Sequence, residues 1–302
     1  MQIKEALQLG RRLLKKAGSS CAALECSLLL QKLTGLSRTR LIACDEEELP
    51  LASEQEFKRL LRLLLDGYPM AYILGQREFY GLMLEVDESV LIPRPDTETL
   101  VDEALGEPFA SVLDLGTGSG AVILALKSCR PQAEAWASDL SSQALSVARR
   151  NARALGLEVT LVQGSWYSGL PARRFDLIVS NPPYVASGDV HLCQGSLPWE
   201  PTLALCAGPD GLAALRSIVS GAGAFLNPGG RLLLEHGFDQ GENCRSLLQQ
   251  AGFVQVHSCT DLAGRERVSG GVLPGGRIAV PGAALDDGAE GTDEKAVQAL
   301  KK

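Results

Sequence analysis

The second half of the chain alternates short apolar runs with longer amphipathic segments, starting near residue 110. The pattern predicts strands over 111–115, 133–137, 159–162, 177–180, 230–235 and 253–258, and helices over 119–128, 141–155, 211–226 and 241–251. Such alternation is typical of an α/β fold, a parallel sheet with helices on both faces. Because ligands bind beyond the carboxyl ends of the strands in such sheets, residues that follow predicted strands are the first candidates for a site.

One of these strand ends is Asn181-Pro182-Pro183-Tyr184, which follows the apolar run from Leu177. Two consecutive prolines have no N–H donors and a fixed φ, so the strand stops there and the local carbonyls stay free. The Asn181 amide adds an acceptor oxygen and two donors, and Tyr184 adds a flat ring. A rigid, acceptor-rich pocket of this kind suits a planar –NH2 group, either a carboxamide or the exocyclic amine of a base. A plain strand-ending turn is the simpler alternative.

A glycine-rich turn with the sequence DLGTGSG runs from Asp114 to Gly120, between the first predicted strand and the first helix. Glycines let the backbone turn sharply and approach a ligand closely. The G-x-G-x-G spacing, rather than G-x-G-x-x-G, favours S-adenosylmethionine over a dinucleotide. Asp114 would repel a pyrophosphate, which a helix N-terminus otherwise attracts, but it suits a cationic ligand. The residues predicted to bind S-adenosylmethionine in this turn are Gly116, Thr117, Gly118, Ser119 and Gly120.

Two further residues follow predicted strands on the cofactor side. Asp139 closes the second strand, where a carboxylate can accept hydrogen bonds from both ribose hydroxyls of a nucleoside; the alternative is a helix N-cap. Trp166 follows the third strand and can stack on adenine; the alternative is core packing. We predict that both belong to the cofactor site.

The first 66 residues show apolar residues at helical spacing, which predicts a small helical bundle over 1–66. Ser53 and Glu56 have the spacing of a capping box at the start of its last helix. Apolar residues interspersed with glycines, beginning with Tyr72 and Ile73, then predict a β-hairpin linker over 67–95.

The remaining segments complete the predicted organisation. A catalytic domain covers 96–280 and begins with a helix that Asp96 or Thr97 can cap, and the pattern decays after about residue 268. Arg94 and Glu98 either face a site or pair with each other on the surface. Residues 281–302 are interpreted as a flexible acidic tail.

Composition narrows the class of protein. Eight scattered cysteines with no C-x-x-C pair and only three histidines argue against a disulfide framework or a metal site. A net charge of −7 and a pI near 5.2 weigh against nucleic-acid binding. No apolar run approaches the roughly 20 residues that span a bilayer, and no signal peptide is evident. We therefore expect a monomeric cytoplasmic protein.

Taken together, these motifs resemble those of the protein-(glutamine-N5) methyltransferases that act on release factors, the HemK/PrmC family. The resemblance covers roughly residues 67–268, and its most specific stretch is Pro93-Arg94-Pro95-Asp96-Thr97-Glu98. It implies a Rossmann-like class I S-adenosylmethionine-dependent methyltransferase sheet, preceded by a small substrate-recognition bundle. The segments that carry it are Tyr72 to Gly75, Glu78-Phe79, Leu91 to Glu98, Asp114 to Gly120, Ser180 to Tyr184 and Leu232 to Gly237.

The resemblance implies methylation of the glutamine in the Gly-Gly-Gln motif of class 1 peptide-chain release factors, with S-adenosylhomocysteine as the product. The residues that match the family's cofactor site are Gly116 to Gly120, Asp139, Trp166 and Asn181, and those that match its substrate clamp are Asn181, Pro182, Pro183 and Tyr184. The family usually has an arginine in a loop where this chain reads Ser196-Leu197-Pro198-Trp199-Glu200-Pro201, which leaves one polar contact there open.

The clamp suggests a mechanism in which Asn181, Pro182 and Tyr184 are catalytic. The Asn181 side-chain oxygen and the Pro182 carbonyl each accept one N–H of the target glutamine, and Tyr184 packs on the amide plane. Three alternatives stay open: an amino-methyltransferase acting on adenine N6 of DNA or RNA, a nicotinamide dehydrogenase, and a non-catalytic binding module.

Overall fold

The computed structural model describes residues 1–193 and 195–275. The helices are α1 (Ile3–Lys16), α2 (Ala22–Thr34), α3 (Arg38–Ala43), α4 (Leu51–Leu65), α5 (Met70–Leu74), α6 (Glu98–Leu105), α7 (Ala121–Cys129), α8 (Ser142–Leu155), α9 (Ala213–Phe225) and α10 (Gly241–Gln250). The strands are β1 (Gln76–Phe79), β2 (Leu82–Glu85), β3 (Ser111–Leu115), β4 (Glu134–Asp139), β5 (Thr160–Gln163), β6 (Phe175–Ser180), β7 (Leu226–Glu235), β8 (Val254–Thr260) and β9 (Glu266–Val272).

The N-terminal helices form a bundle around fully buried Leu29, Leu30 and Phe57. The capping box predicted at Ser53 is wrong, because α4 begins at Leu51 and Ser53 lies inside its first turn. The residue before that helix is a proline, whose φ of −52° and ψ of 141° end the extended segment there.

The linker holds a two-stranded antiparallel hairpin made of β1 and β2. The prediction that Tyr72 and Ile73 lie in its strands is wrong, because both belong to the short helix α5. This helix starts after Pro69 and ends at Gly75, whose φ of 76° is readily adopted only by glycine. The apolar residues of 67–75 are therefore buried by a helical turn rather than by strand pairing.

The main sheet has seven strands in the order β5-β4-β3-β6-β7-β9-β8. Six strands point the same way, as predicted, and β9 runs antiparallel between β7 and β8. Sequence reasoning missed β9 because glycines interrupt its apolar pattern. A β-carbon at Gly270 would overlap Leu233, and one at Gly271 would lie 3.0 Å from Phe253 Cβ, so these glycines permit close packing inside the sheet.

Helices cover both faces of this sheet and bury two separate cores. The helices α6 and α7 pack on one face through residues such as Leu100 and Ile123, with α8 beside them. On the other face lie α9 and α10, which contribute Ile218 and Leu248. This arrangement confirms the predicted α/β fold and leaves the carboxyl ends of the parallel strands at one edge.

The predicted division into 1–66, 67–95 and 96–280 stays a prediction at these boundaries. The end of the last segment, 276–280, and the tail over 281–302 lie outside the described residues. Within the described residues, no helix is both long and apolar enough to cross a membrane.

Candidate functional site

A cavity of about 650 Å³ lies at the carboxyl ends of β3, β4 and β6. Three of the predicted strand-end motifs meet there, as expected for a doubly wound sheet. The predicted site residues in its walls are Gly116, Thr117, Gly118, Ser119, Asp139, Trp166, Asn181 and Pro183. Three other predicted site residues, Gly120, Pro182 and Tyr184, are not part of its lining.

The glycine-rich turn is tied to the end of β4 by its own backbone. Gly116 N and Thr117 N both donate to Ser138 O, at 2.8 and 3.0 Å, and Gly118 N donates to Asp139 Oδ2 at 2.9 Å. Gly116 has φ at 72° and Gly118 at 56°, which non-glycine residues seldom adopt. The turn therefore presents backbone rather than side chains to the cavity.

The last glycine of the turn, Gly120, lies between two helices and is not part of the cavity lining. It precedes α7 with φ at 85°. A β-carbon there would lie 3.0 Å from Leu124 Cδ1 and 3.4 Å from Ala148 Cβ. Glycine at this position lets α7 and α8 approach each other closely, so the structure does not bring Gly120 into the cavity.

Two carboxylates face this turn, the half-buried Asp139 and the buried Asp114. Asp139 accepts from Gly118 N through Oδ2 and from Ser141 N, at 2.8 Å, through Oδ1, and burial raises its pKa. The alternative reading of Asp139 as a helix N-cap is wrong, because the Ser141 hydroxyl caps α8. Asp114 accepts from the Thr117 hydroxyl at 2.6 Å, and burial raises its pKa to about 7, so it is a weaker fixed negative charge than the sequence suggests.

Trp166 combines both readings that the sequence left open. Its ring lines the cavity and also packs against the core on the α9 side of the sheet. A β-carbon at Gly116 would lie 3.4 Å from Trp166 Cζ3, so the ring stands directly over the glycine-rich turn. Its backbone has an unusual φ of 52° and accepts a hydrogen bond of 2.8 Å from the Ser138 hydroxyl.

The Asn181 amide has a defined orientation at the end of β6. Its Nδ2 donates to the Thr97 hydroxyl oxygen at 3.0 Å. Among the described residues, no donor meets the Asn181 side-chain oxygen or the Pro182 carbonyl. Both acceptors therefore lack a donor within the described part of the protein, and Asn181 is the one of the two that lines the cavity.

Tyr184 lies beside a group of charged side chains rather than in the wall of the cavity. Burial and, to a smaller extent, the nearby Glu235 carboxylate raise its pKa to about 12, against the opposing effect of Arg267 and Arg94. Its backbone carbonyl accepts from Gln240 Nε2 at 3.0 Å, which anchors the segment after the two prolines.

Two residues that contact Asn181, namely Thr97 and Glu235, were not among the predicted site residues. Both are almost completely buried, with exposed fractions of 3% and 1%. Burial raises the pKa of Glu235 to about 7, and hydrogen bonds with Thr97 and Asn181 act in the opposite direction. Glu235 is the last residue of β7, so the strand-end rule that found Asp139 and Asn181 contained the signal for it.

Arg94 and Glu98 contact different partners in the structure. They do not pair with each other: Glu98 accepts from Tyr80 N at 3.1 Å, and Arg94 donates to the fully buried Glu200 carboxylate. Glu200 also accepts from Ile92 N at 3.1 Å. The loop that departs from the family pattern is thus held against the 91–98 stretch by its glutamate.

One group of potential metal ligands lies away from the cavity, although the sequence predicted none. Glu103 accepts from His257 Nε2 at 2.8 Å and from Cys259 Sγ at 3.0 Å, and the three side chains lie close enough together to hold an ion. The carboxylate satisfies both partners, so the group is complete as a hydrogen-bonded cluster.

Comparisons with known proteins agree with this geometry. Two family models match the sequence, the PrmC N-terminal domain over residues 5–75 and the methyltransferase small domain over residues 95–194. A solved methyltransferase from Pyrococcus furiosus superposes with a TM-score of 0.51 at 19% identity, over 72% of this chain and 98% of that one, and so shares the fold. Fold and cavity define a class I methyltransferase.

Two curated relatives identify the family. The release factor glutamine methyltransferase of Bordetella pertussis is 51% identical over 83% of this chain and 94% of its own length. That of Burkholderia pseudomallei is 48% identical over 84% and 93%. The chain belongs to the release factor glutamine methyltransferase family.

Proposed function

We propose that this enzyme transfers a methyl group from S-adenosylmethionine to the side-chain amide nitrogen, N5, of the glutamine in the Gly-Gly-Gln motif of class 1 release factors. The observation that carries the proposal is the pair of free acceptors at the end of β6, the Asn181 side-chain oxygen and the Pro182 carbonyl. A primary carboxamide has two N–H donors on one nitrogen, and this pair of acceptors matches them. The names of the curated relatives supply the substrate.

The cavity fits the cofactor in size and chemistry. Its volume lies within the range of about 300–1,000 Å³ that is usual for cofactor sites. We propose that the backbone from Gly116 to Ser119, Asp139 and Trp166 hold the nucleoside and that Asn181 faces the reacting end. When bound, S-adenosylmethionine supplies an electrophilic methyl group on a sulfonium.

The chain's own contribution is to position the amide nitrogen. A carboxamide nitrogen is a poor nucleophile because its lone pair is delocalised into the carbonyl. Asn181 and Pro182 hold it in place and favour the partial positive charge that it gains, which together can lower the barrier by several kcal/mol. Tyr184 supports the clamp from the buried side. No side chain needs to remove a proton beforehand, because the proton can leave after transfer.

The proposal extends to the rest of the chain. The helical bundle over 1–66 would recognise the release factor, and the enzyme would act as a monomer in the cytoplasm, where release factors work. No direct contact with nucleic acid is needed for this reaction, and the net charge of −7 agrees with that.

The test is transfer of a labelled methyl group to a purified class 1 release factor. A factor with Gln→Ala in its Gly-Gly-Gln motif is the acceptor control, and adenine-containing DNA and RNA form separate arms. Label on the wild-type factor alone supports the proposal. Label on DNA or RNA favours the adenine N6 amino-methyltransferase, which the same acceptor pair would serve, and label on no acceptor contradicts both.

A further inference from the structure

A buried acid lies directly behind the proposed clamp. Glu235 is 1% exposed, and its Oε2 has no hydrogen-bond partner among the described residues. Leaving a buried carboxylate oxygen unpaired is costly, and replacing such a group by an apolar side chain is often neutral or stabilising. An ionised glutamate at this position is therefore costly to the stability of the fold.

Neighbouring charges do not explain the acid either. The charged and titratable groups that face it are Arg267 on β9, Asp96 ahead of α6, and Tyr184 after β6. Arg267 is engaged by two other carboxylates, Asp96 at 3.0 Å and Asp261 at 3.1 Å. Glu235 is thus held close to an arginine that pairs elsewhere.

The hydrogen bonds around Thr97 have a fixed direction. Asn181 Nδ2 donates to the Thr97 oxygen at 3.0 Å, so the hydroxyl proton must point to another acceptor. Glu235 is that acceptor, and it also attracts the Asn181 amide N–H groups. When Glu235 is ionised it can only accept, so in that state the direction of donation is Asn181 to Thr97 to Glu235.

We propose that Glu235 and Thr97 are positioning residues that hold the Asn181 amide with its nitrogen inward and its oxygen toward the substrate. If the amide rotated by 180°, its N–H groups would face the N–H groups of the target glutamine, and the clamp would lose one acceptor. This inference rests on the proposed function for its consequence in catalysis, but the orientation itself is a property of the enzyme alone.

The orientation can be measured without a substrate. The chain has four asparagines, Asn151, Asn181, Asn227 and Asn243, so side-chain 15N labelling of asparagine gives few NMR signals. Asn151, whose Nδ2 donates to Glu85 O and Ser119 O, is a protected internal standard, and exposed Asn243 is an unprotected one. We expect the Asn181 NH2 protons of the full-length wild type to exchange slowly, close to the Asn151 rate.

Three variants test the hydroxyl and the carboxylate separately from the effects of side-chain volume and of misfolding. Thr97→Val keeps the shape but removes the hydroxyl, Thr97→Ser keeps the hydroxyl, and Glu235→Met removes the acceptor without leaving a buried charge. We expect Asn181 NH2 exchange to accelerate about tenfold or more in Thr97→Val and Glu235→Met, and to change less than about threefold in Thr97→Ser. Exchange that is equally fast in wild type and variants would overturn the inference.

Kinetic measurements then distinguish a positioning role of Thr97 and Glu235 from a general loss of structure in the variants. With the release factor as acceptor, kcat should fall about tenfold or more in Thr97→Val and Glu235→Met, while the affinity for S-adenosylhomocysteine stays within about threefold. Both substitutions should lower kcat by less than about twofold when added to Asn181→Ala, because their effect passes through Asn181. A further large loss in that background indicates a merely structural role and contradicts the proposal.

The two proposals fail in different ways. If the wild type does not methylate the release factor, the proposed function is wrong, and the NMR exchange rates still decide the orientation. If the factor is methylated but Thr97→Val and Glu235→Met keep wild-type kcat, the positioning role is wrong and the function stands.

Discussion

The Arg94 guanidinium donates to the Glu200 carboxylate and joins two segments that lie 106 residues apart in the sequence. The Glu200 side chain is fully buried, and it also accepts from the Ser196 hydroxyl at 3.2 Å. The loop over 196–201, which follows the clamp residues in sequence, is therefore held against the segment that precedes Thr97.

Removing Arg94 should destabilise the protein because it leaves Glu200 buried without its cation. We expect Arg94→Met to lower the free energy of unfolding by about 2 kcal/mol, less than for a fully buried pair since Arg94 is partly exposed. Urea unfolding measures this. The matched control is Arg59→Met, which breaks an exposed pair with Glu56 and should cost under about 0.5 kcal/mol.

A second variant tests the cause of that loss. Adding Glu200→Gln to Arg94→Met removes the unpaired charge and should recover part of the stability. A double variant no more stable than Arg94→Met would show that the buried charge is not responsible.

Asn181→Ala should lower kcat for the release factor about 100-fold or more, because it removes an acceptor aimed at the nitrogen that becomes positive. Steady-state kinetics and the Kd of S-adenosylhomocysteine are the measurements, with affinity expected to weaken only modestly. Asn227→Ala is the control, since Asn227 donates to Asp176 at 2.7 Å and does not line the cavity. Near-normal turnover by Asn181→Ala would exclude the clamp.

Asp139→Asn should weaken cofactor binding. Both carboxylate oxygens accept backbone N–H groups, so an amide NH2 in place of either one faces a donor and disturbs the glycine-rich turn. We expect the Kd of S-adenosylhomocysteine, measured by calorimetry, to rise about tenfold or more. Asp102→Asn, at an exposed carboxylate that accepts from Tyr80 Oη, is the control. Equal affinity of wild type and Asp139→Asn would remove Asp139 from the cofactor site.

Glu235 should make the stability of the protein depend on pH. Burial raises its pKa from 4.5 to about 7, so the folded protein binds this proton more tightly than the unfolded chain does. The resulting stabilisation is fully present below pH 4.5 and is lost as the pH rises through 7, a change of about 3 kcal/mol.

Glu235→Gln removes this titration. Its stability relative to wild type should therefore increase between pH 4.5 and 8, as measured by urea unfolding at several pH values. Asp114, whose pKa burial also raises to about 7, titrates in both proteins and cancels in the difference. A difference that is independent of pH would show that Glu235 does not titrate in this range.

The sequence predicted the parts of the site that follow a general rule. Gly116, Asp139 and Asn181 each come directly after an apolar strand, and parallel strands bring their carboxyl ends together. Glu235 obeys the same rule at the end of β7, but the run that it ends also reads simply as core. The partner of Asn181, Thr97, lies 84 residues earlier, and no pattern of spacing connects the two.

Other differences arise where tertiary packing overrides a local pattern. The turn glycine Gly120 looks like its neighbours in sequence, yet the close approach of α7 and α8 leaves little room for a side chain there. Glycines occur in β9 because the neighbouring strand and Phe253 leave no room for side chains. These glycines weaken the apolar pattern by which a strand is predicted from sequence. These packing requirements depend on residues that are distant in the sequence, so they cannot be predicted from one segment alone.

The position of β9 between β7 and β8 also sets the order in which the enzyme can be completed. During synthesis β7 and β8 are made first, but they are not neighbours in the sheet, and the edge of β7 that pairs with β9 has no native partner until residues 266–272 have left the ribosome. Glu235 lies on that edge, paired with Val268 in the finished sheet. The environment of Glu235 is therefore completed only after β9 has been synthesised and has paired with β7.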